Sequence, residues 1–521
     1  MSWGWQSPRG RVLSRAGIGV LTWVIPPDLV DDAVGDGLAW EMRLRALPAR
    51  LAVYFVLGLC LFSAKPYLDV IREVTAGLQA ALAAVGWEPP ATTALTKARA
   101  RIGERPLEAL FRRLCSALSP GRAAWSHLGG LLVVAVDGTT VSAWDSPANA
   151  AAFGRPGTGT GTRRRRPGAG PGQQAGQEGA EQGQAANPQL RLVTLIACGT
   201  RALLDAAIGP ARGTGTGEQA LARGLLRSLR PGMLLLADRN FYGYDLWRAA
   251  AGTGAHLLWR VKASTHLPVV AELPDGSWLT HINDPAAVRA RAHKNGQRRR
   301  RGSTLPPETG PLPGITVRVI QYVLTVTTDD GAVRTERYRL ITTLTDWRAC
   351  PAAELASCYA WRWAIETGYR ECKTYLRGPG RILRGRTPAL ARQELWAYLA
   401  VYQAIRAIIV RAAAGAGLDP DRISFTAALN ATQRTMTGGR LAATLAATET
   451  EILSCLVPQR DGRICPRAVN KPSSPYRSRH NCAEPISQHA QYTATITTPD
   501  HRTDNSPDQA QQPARRPDNP P

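Results

Sequence analysis

Leu131-Leu132-Val133-Val134-Ala135-Val136-Asp137-Gly138-Thr139 is the stretch on which the fold turns. A short apolar run that opens after Gly129 and closes on an acid has the length and β-branched content of a buried strand. A carboxylate at the end of such a strand needs a partner, because an unpaired buried charge is costly. The pattern recurs downstream, where residues 232–237 form a second apolar strand that again ends in an acid, Asp238. Between the two, residues 189–198 and 201–208 flank a Cys-Gly-Thr turn and read as a hairpin, and residues 217–229 read as a helix. A short helix and a strand at 255–261 complete the set. Three strands, helix, strand, helix, strand is a mixed α/β order.

Working outward, residues 28–118 carry apolar side chains at helical spacing, with Pro66 and Pro106 near helix starts. They predict a helical N-terminal domain, residues 1–125, with 50–62 as its central helix. Lys97, Arg99, Arg101 and Arg105 form a basic edge there, either a solvated face or a DNA contact. Residues 154–188 are Gly-, Gln- and Pro-rich and read as a surface loop without a fold. Residues 264–346 contain alternating runs at 315–327 and 332–345, which predict a β-rich insertion. From 289 to 301 that insertion has seven bases and no acid, ending in Arg298, Arg299, Arg300 and Arg301. Helical periodicity returns at 351–376 and 388–414, with Pro388 in a first turn. The core therefore divides into 126–263 and 347–456, and residues 457–521 read as a disordered basic tail.

The chain has 521 residues, enough for three to four compact units at roughly 150 residues each. Lys and Arg number 64 against 40 Asp and Glu, a net charge of +24 that favours a polyanionic partner. Nine cysteines without a C-x-x-C pair, several inside apolar runs, predict a reduced intracellular protein. The longest apolar run, 51–62, falls short of the roughly 20 residues that span a bilayer, so no membrane association is expected. Arg9, Arg11 and Arg15 precede an apolar run as in a signal peptide, but no small-x-small cleavage site follows.

Three carboxylates stand where an ordinary core would not put them: Asp137, Asp238 and Glu366, the last on an apolar and aromatic helix face. Strands ending together in one sheet can bring the aspartates together, and a helix crossing that edge can deliver the glutamate. Adjacent like charges call for a cation, and an all-oxygen set selects a hard one such as Mg²⁺. Tyr359, Arg362, Glu366, Tyr369 and Lys373 are spaced 3, 4, 3 and 4 apart and share one helix face.

Tyr359-x2-Arg362-x3-Glu366-x6-Lys373 resembles the Y-x2-R-x3-E-x6-K signature of the insertion-sequence-4 family of bacterial DDE transposases. Val136-Asp137-Gly138-Thr139 resembles the first-aspartate motif of that family, and Ala237-Asp238-Arg239-Asn240-Phe241-Tyr242-Gly243 its second. The resemblance runs from about residue 17 to about residue 467. It implies an RNase H-like α/β core with flanking helices, a helical N-terminal domain and a β-rich insertion between the second Asp and the Glu. It also implies that Asp137 bridges two Mg²⁺ ions about 4 Å apart, with Asp238 and Glu366 each completing one site and Mn²⁺ able to substitute. Tyr359, Arg362 and Lys373 would contact phosphates of the element end. Arg298 to Arg301 read as a further DNA-backbone contact. The implied partners are double-stranded DNA, at terminal inverted repeats and at the target, and a second copy of the chain, in the bacterial cytoplasm at the nucleoid.

Other readings are weaker. The D-x-D-G-T motif of haloacid-dehalogenase-type phosphatases needs a nucleophilic aspartate where this chain has Ala135. His480, Cys482, Cys455 and Cys465 match no standard zinc spacing. Trp259, beside Leu257 and Leu258, reads as core rather than as a stacking platform for a flipped base, and Asp145 reads as a turn residue. The competing functional class is a catalytically inactive, DNA-binding or repressor-like remnant whose acids are structural.

Overall fold

The computed structural model describes residues 7–36, 47–117, 124–155, 187–213, 215–301, 306–328, 331, 333–437, 441–458, 463–464 and 488–497. The loop expected at 154–188 lies almost wholly outside these residues, as do Cys465, His480 and Cys482. The strands are β1 (His127–Leu128), β2 (Leu131–Ser142), β3 (Gln189–Ala197), β4 (Leu203–Pro210), β5 (Met233–Ala237), β6 (His256–Arg260), β7 (Ala271–Glu272), β8 (Trp278–Asn283), β9 (Gly314–Thr328), β10 (Val333–Thr342), β11 (Arg463–Ile464) and β12 (Gln488–Ile496).

β2 is central. It runs antiparallel to β3, which pairs antiparallel with β4, and parallel to β5, which pairs parallel with β6. The helix Glu218–Leu225 lies between β4 and β5 in the chain, and the helix Tyr244–Ala251 between β5 and β6. This is the mixed order read from the sequence and the topology of an RNase H-like core. The uninterrupted apolar run of β2 follows from burial on both faces. Val133 and Ala135 join the core formed with the long helices, while Val134 and Val136 join a second core with Phe241, Trp247 and Trp259. Trp259 is thus a core residue, edge-on to Trp247 at 5.1 Å.

The insertion is not a separate β unit. β10 pairs antiparallel with β6, so β9 and β10 extend the core sheet beyond its fifth strand. Nor is the insertion all β. The basic run lies on a helix, Pro285–Arg300, capped by Asp284, whose side chain accepts from Ala286 N. The tail departs from its expected lack of structure as well: β12 pairs antiparallel with β9 at the far side of the sheet.

The N-terminal helices share a core with the C-terminal ones. In the helix Ala49–Leu61 every residue but Arg50 is buried. It packs on the helix Pro388–Gly415, which is buried without a break from Gln393 to Ile409. Pro388–Gly415 is long and apolar enough to cross a membrane on length and composition. Several of its buried polar groups are engaged by the fold instead: Gln403 bonds both backbone groups of Leu203, and Arg406, whose nitrogens make no hydrogen bond among the described residues, lies 3.6 Å from a Glu371 carboxylate oxygen. Arg99 corrects the reading of a basic edge. It is 1% exposed and meets Gln393 Oε1 at 3.1 Å, Glu394 Oε2 at 3.4 Å and the Tyr67 hydroxyl.

Removing one member of a buried ion pair leaves the other uncompensated, which costs about 3–5 kcal/mol. Arg99→Met is therefore expected to lower the unfolding free energy by about that amount, and Arg99→Met with Glu394→Leu to recover most of it. Denaturant melts of the two variants beside the native chain check both values.

Candidate active site

Asp137 does not end its strand. β2 continues to Ser142 along β3, while its parallel neighbour β5 stops at Ala237, opposite Val136. The early end of β5 opens a notch beside Asp137 and places Asp238 at its rim, level with Asp137 in register. Asp137 Oδ1 accepts from Gly138 N at 2.7 Å, and Asp238 Oδ1 accepts from Arg239 N at 2.6 Å.

The segment carrying Glu366 is one path with three windings rather than one regular helix. The helix Ala352–Tyr359 tightens to a 3₁₀ turn at Ala360–Arg362, resumes as Trp363–Arg370 and widens to a π-helix at Glu371–Leu376. Its polar face still meets the strands. The Tyr359 hydroxyl donates to Ala237 O at 3.2 Å and the Tyr369 hydroxyl to Asp137 O at 2.6 Å. Lys373 Nζ donates to Thr139 Oγ1 and Thr140 O, each at 3.0 Å. Tyr359 is only 5% exposed, so the phosphate contact expected of it meets a buried side chain that ties helix to strand.

Arg362 lies at the centre. One guanidinium nitrogen is 3.6 Å from Asp137 Oδ2 and another 3.2 Å from Glu366 Oε1. Burial opposes the charge of Arg362, but Tyr359, Asp137, Glu366 and Asp238 together hold its pKa above the usual arginine value. All three expected acids therefore act on one cation. Asp137 is pushed up to about 6, chiefly by burial, with Glu366 and Glu218 adding repulsion against the lowering effect of Gly138 N and Arg362.

Among the described residues no group of three His, Cys, Asp or Glu side chains is gathered as a metal cage. Arg362 bridges Asp137 and Glu366 where a cage would draw them together. The donor chemistry nevertheless fits a divalent cation: Asp137 and Glu366 both pair with Arg362, Asp238 adds to the field that holds its charge, and Asp137 is repelled by Glu366 and Glu218.

Glu218 was not legible in the sequence. It begins the helix Glu218–Leu225, pairs with Arg191 at 3.2 Å and lies over Gly138, where a Cβ would stand 2.6 Å from its carboxylate carbon. Gly138 thus leaves the room that the end of the Glu218 side chain occupies beside the buried acid. Trp363, beside Arg362, is 57% exposed. Arg298, Arg299, Arg300 and Arg301 stand apart from the notch, at the end of Pro285–Arg300, a helix with no buried residue; Arg298 pairs with Glu308 at 3.1 Å. Asp145 pairs with Arg155 at 2.5 Å, and Cys455 is exposed.

The segment from 128 to 403, which contains all of this geometry and over half the chain, matches the family model described as transposase DDE domain. The chain belongs to the insertion-sequence DDE transposases. Residues 15–112 match the model for the N-terminal region of the insertion element 4 transposase. Over 406 residues the chain is 25% identical to the transposase InsG for insertion sequence element IS4 of Escherichia coli (strain K12), covering 77% of this chain and 79% of that protein. It is 27% identical over 222 residues to the putative transposase InsZ of the same strain, 43% of this chain and 64% of that one. The transposase reading and the RNase H-like fold are thereby established, and DNA is the substrate of the family.

The raised pKa of Asp137 has a stability consequence. A carboxyl near 6 in the fold and 3.8 outside it destabilises the fold once ionised: the penalty is absent below pH 4 and complete above pH 6. At 1.36 kcal/mol per unit this is about 3 kcal/mol at neutral pH. Asp137→Asn is expected to raise the melting temperature of the metal-free transposase at pH 7 and to leave it little changed at pH 4, as calorimetry at the two pH values would read.

Proposed function

We propose that this transposase cuts DNA at the ends of its element and joins those ends to target DNA through Asp137, Asp238 and Glu366. These three would hold two Mg²⁺ ions, for which Mn²⁺ can substitute. The observation that carries the reading is the pairing of Asp137 and Glu366 across Arg362 at the notch where β5 ends, with Asp238 following the last residue of β5. When bound, the ions supply an activated water or 3′-hydroxyl on one side of the phosphorus and stabilise the leaving oxygen on the other.

The remaining work belongs to the chain. Tyr369 holds the carbonyl of Asp137 and Tyr359 that of Ala237, so two phenolic hydrogen bonds fix the segment carrying Glu366 against β2 and against the end of β5, just before Asp238. Arg362 presents a positive charge at the notch, where a scissile phosphate is drawn to it. Lys373 adds a second charge along β2, and Arg298 to Arg301 a third contact with the backbone from the insertion helix. Duplex DNA carrying terminal inverted repeats, target DNA and a second copy of the transposase are the partners, and the bacterial cytoplasm, at the nucleoid, is the place.

Labelled DNA bearing the genomic flanks of the gene tests this with Mg²⁺. The native transposase is expected to cut at the borders of an inverted repeat, while Asp137→Ala and Glu366→Ala bind but do not cut. Binding without cleavage by the native transposase would instead favour the DNA-binding remnant with structural acids. Arg362→Ala and Lys373→Ala are expected to weaken DNA binding or positioning without abolishing metal binding.

Each phosphate neutralised contributes about −0.9 to the slope of log K against log salt. Replacing Arg298, Arg299, Arg300 and Arg301 together by Gln is expected to flatten that slope by roughly 2–4. An unchanged slope would remove the insertion helix from the interface.

A further inference from the structure

From Lys373 to Arg392 the chain has six bases and no acid. The structure answers some of these charges and leaves others. Arg381 and Arg384 both donate to Ser63 O, joining this segment to the N-terminal helices. Arg377 is buried, and its Nε and Nη1 have no hydrogen-bond partner among the described residues. Arg386 is exposed, has no carboxylate partner among the described residues and lies over the ring of Trp144 at 5.0 Å. Trp144 itself is 38% exposed.

The platform is built, not incidental. Leu383 N donates to Ser142 O at 2.9 Å, and Ser146 Oγ donates to Arg386 O at 2.8 Å. The buried side chain of Asn149 donates to Trp144 O and to Gly385 O, both at 2.9 Å, clamping the two loops together. Gly385 also lies against the first turn of the helix Pro388–Gly415, where a Cβ would stand 2.4 Å from Ala391 N. Two loops are thus held rigidly so that a cation stacks on an exposed indole, while the adjacent acid, Asp145, is already taken by Arg155.

We propose that Trp144 and Arg386 form a further DNA-backbone contact on the Lys373 side of the cut. This rests on the reading of the Asp137 notch as the cleavage site. β2 sets the spacing. Asp137 lies at the notch, Lys373 bonds Thr139 and Thr140, and Trp144 follows the end of the strand at Ser142. Seven residues of nearly extended chain cover roughly 20 Å. For a duplex whose axis follows β2, at 3.4 Å of axis per nucleotide of one strand, that is about six nucleotides from the scissile phosphate. Stacking on Trp144 leaves the guanidinium edges of Arg386 free to bond phosphate oxygens.

The test uses the full chain and a labelled duplex carrying the genomic border of the gene. Arg386→Gln and Trp144→Ala are each expected to flatten the salt slope of binding by about 0.9. Phosphate ethylation about six nucleotides from the cut should interfere with binding of the native chain and no longer with that of Arg386→Gln. Arg386→Lys should restore the slope but not the full affinity, and equal melting temperatures exclude unfolding as the cause. Unchanged slopes and an unchanged interference pattern in variants of a chain that binds and cuts would overturn this proposal alone. A native chain with no salt-dependent binding would overturn it together with the reading of the notch.

Discussion

Asp137 and Glu366 meet across a single guanidinium, that of Arg362, and the rest of the architecture is arranged around that meeting. An acid in the middle of a buried strand is a poor choice for stability: its pKa rises to about 6 because water is scarce and other acids are near. The fold accepts this because β5 stops one residue short of Asp137 and so leaves room for a cation on that side. The metal-free protein uses Arg362 as the cation, and the same place is where a divalent ion or a phosphate backbone would be attracted.

That arrangement depends on long-range ties rather than on local helix propensity. Tyr359, Tyr369 and Lys373 each reach a backbone carbonyl of the sheet, so the segment carrying Glu366 is held at its two ends and its middle. The winding changes from 3₁₀ to α to π along this segment while all three contacts are kept. Behind it, the helix Pro388–Gly415 joins the N-terminal helices to the sheet in one core, so the residues around the Asp137 notch stand on a shared base.

Much of this was legible because burial on both faces writes an unmistakable apolar run. Residues 131–136 and 232–237 announced two buried strands, and the acids after them the candidate site. The same signal misled about where β2 ends. Gly138, Thr139 and Thr140 are partly exposed because β5 is gone, yet β3 keeps them in the strand. Arg99 was hidden for a different reason: patterning treats arginine as a surface residue, and only Gln393 and Glu394, almost 300 positions away, make it a core one. β12 is a polar stretch whose pairing depends on the edge offered by β9, which no local pattern records. The insertion helix, by contrast, carried a readable signal in Asp284-Pro285, a capping residue followed by a first-turn proline, that the basic composition masked.

Mn²⁺ binding by the DNA-bound transposase, followed by electron paramagnetic resonance for the native chain and for Asp137→Asn, Asp238→Asn and Glu366→Gln, tests whether these acids hold one cation. If the three acids form one cation site, each substitution removes or strongly weakens the bound Mn²⁺ signal while DNA remains bound. Mn²⁺ binding of native strength in any of the three would contradict it.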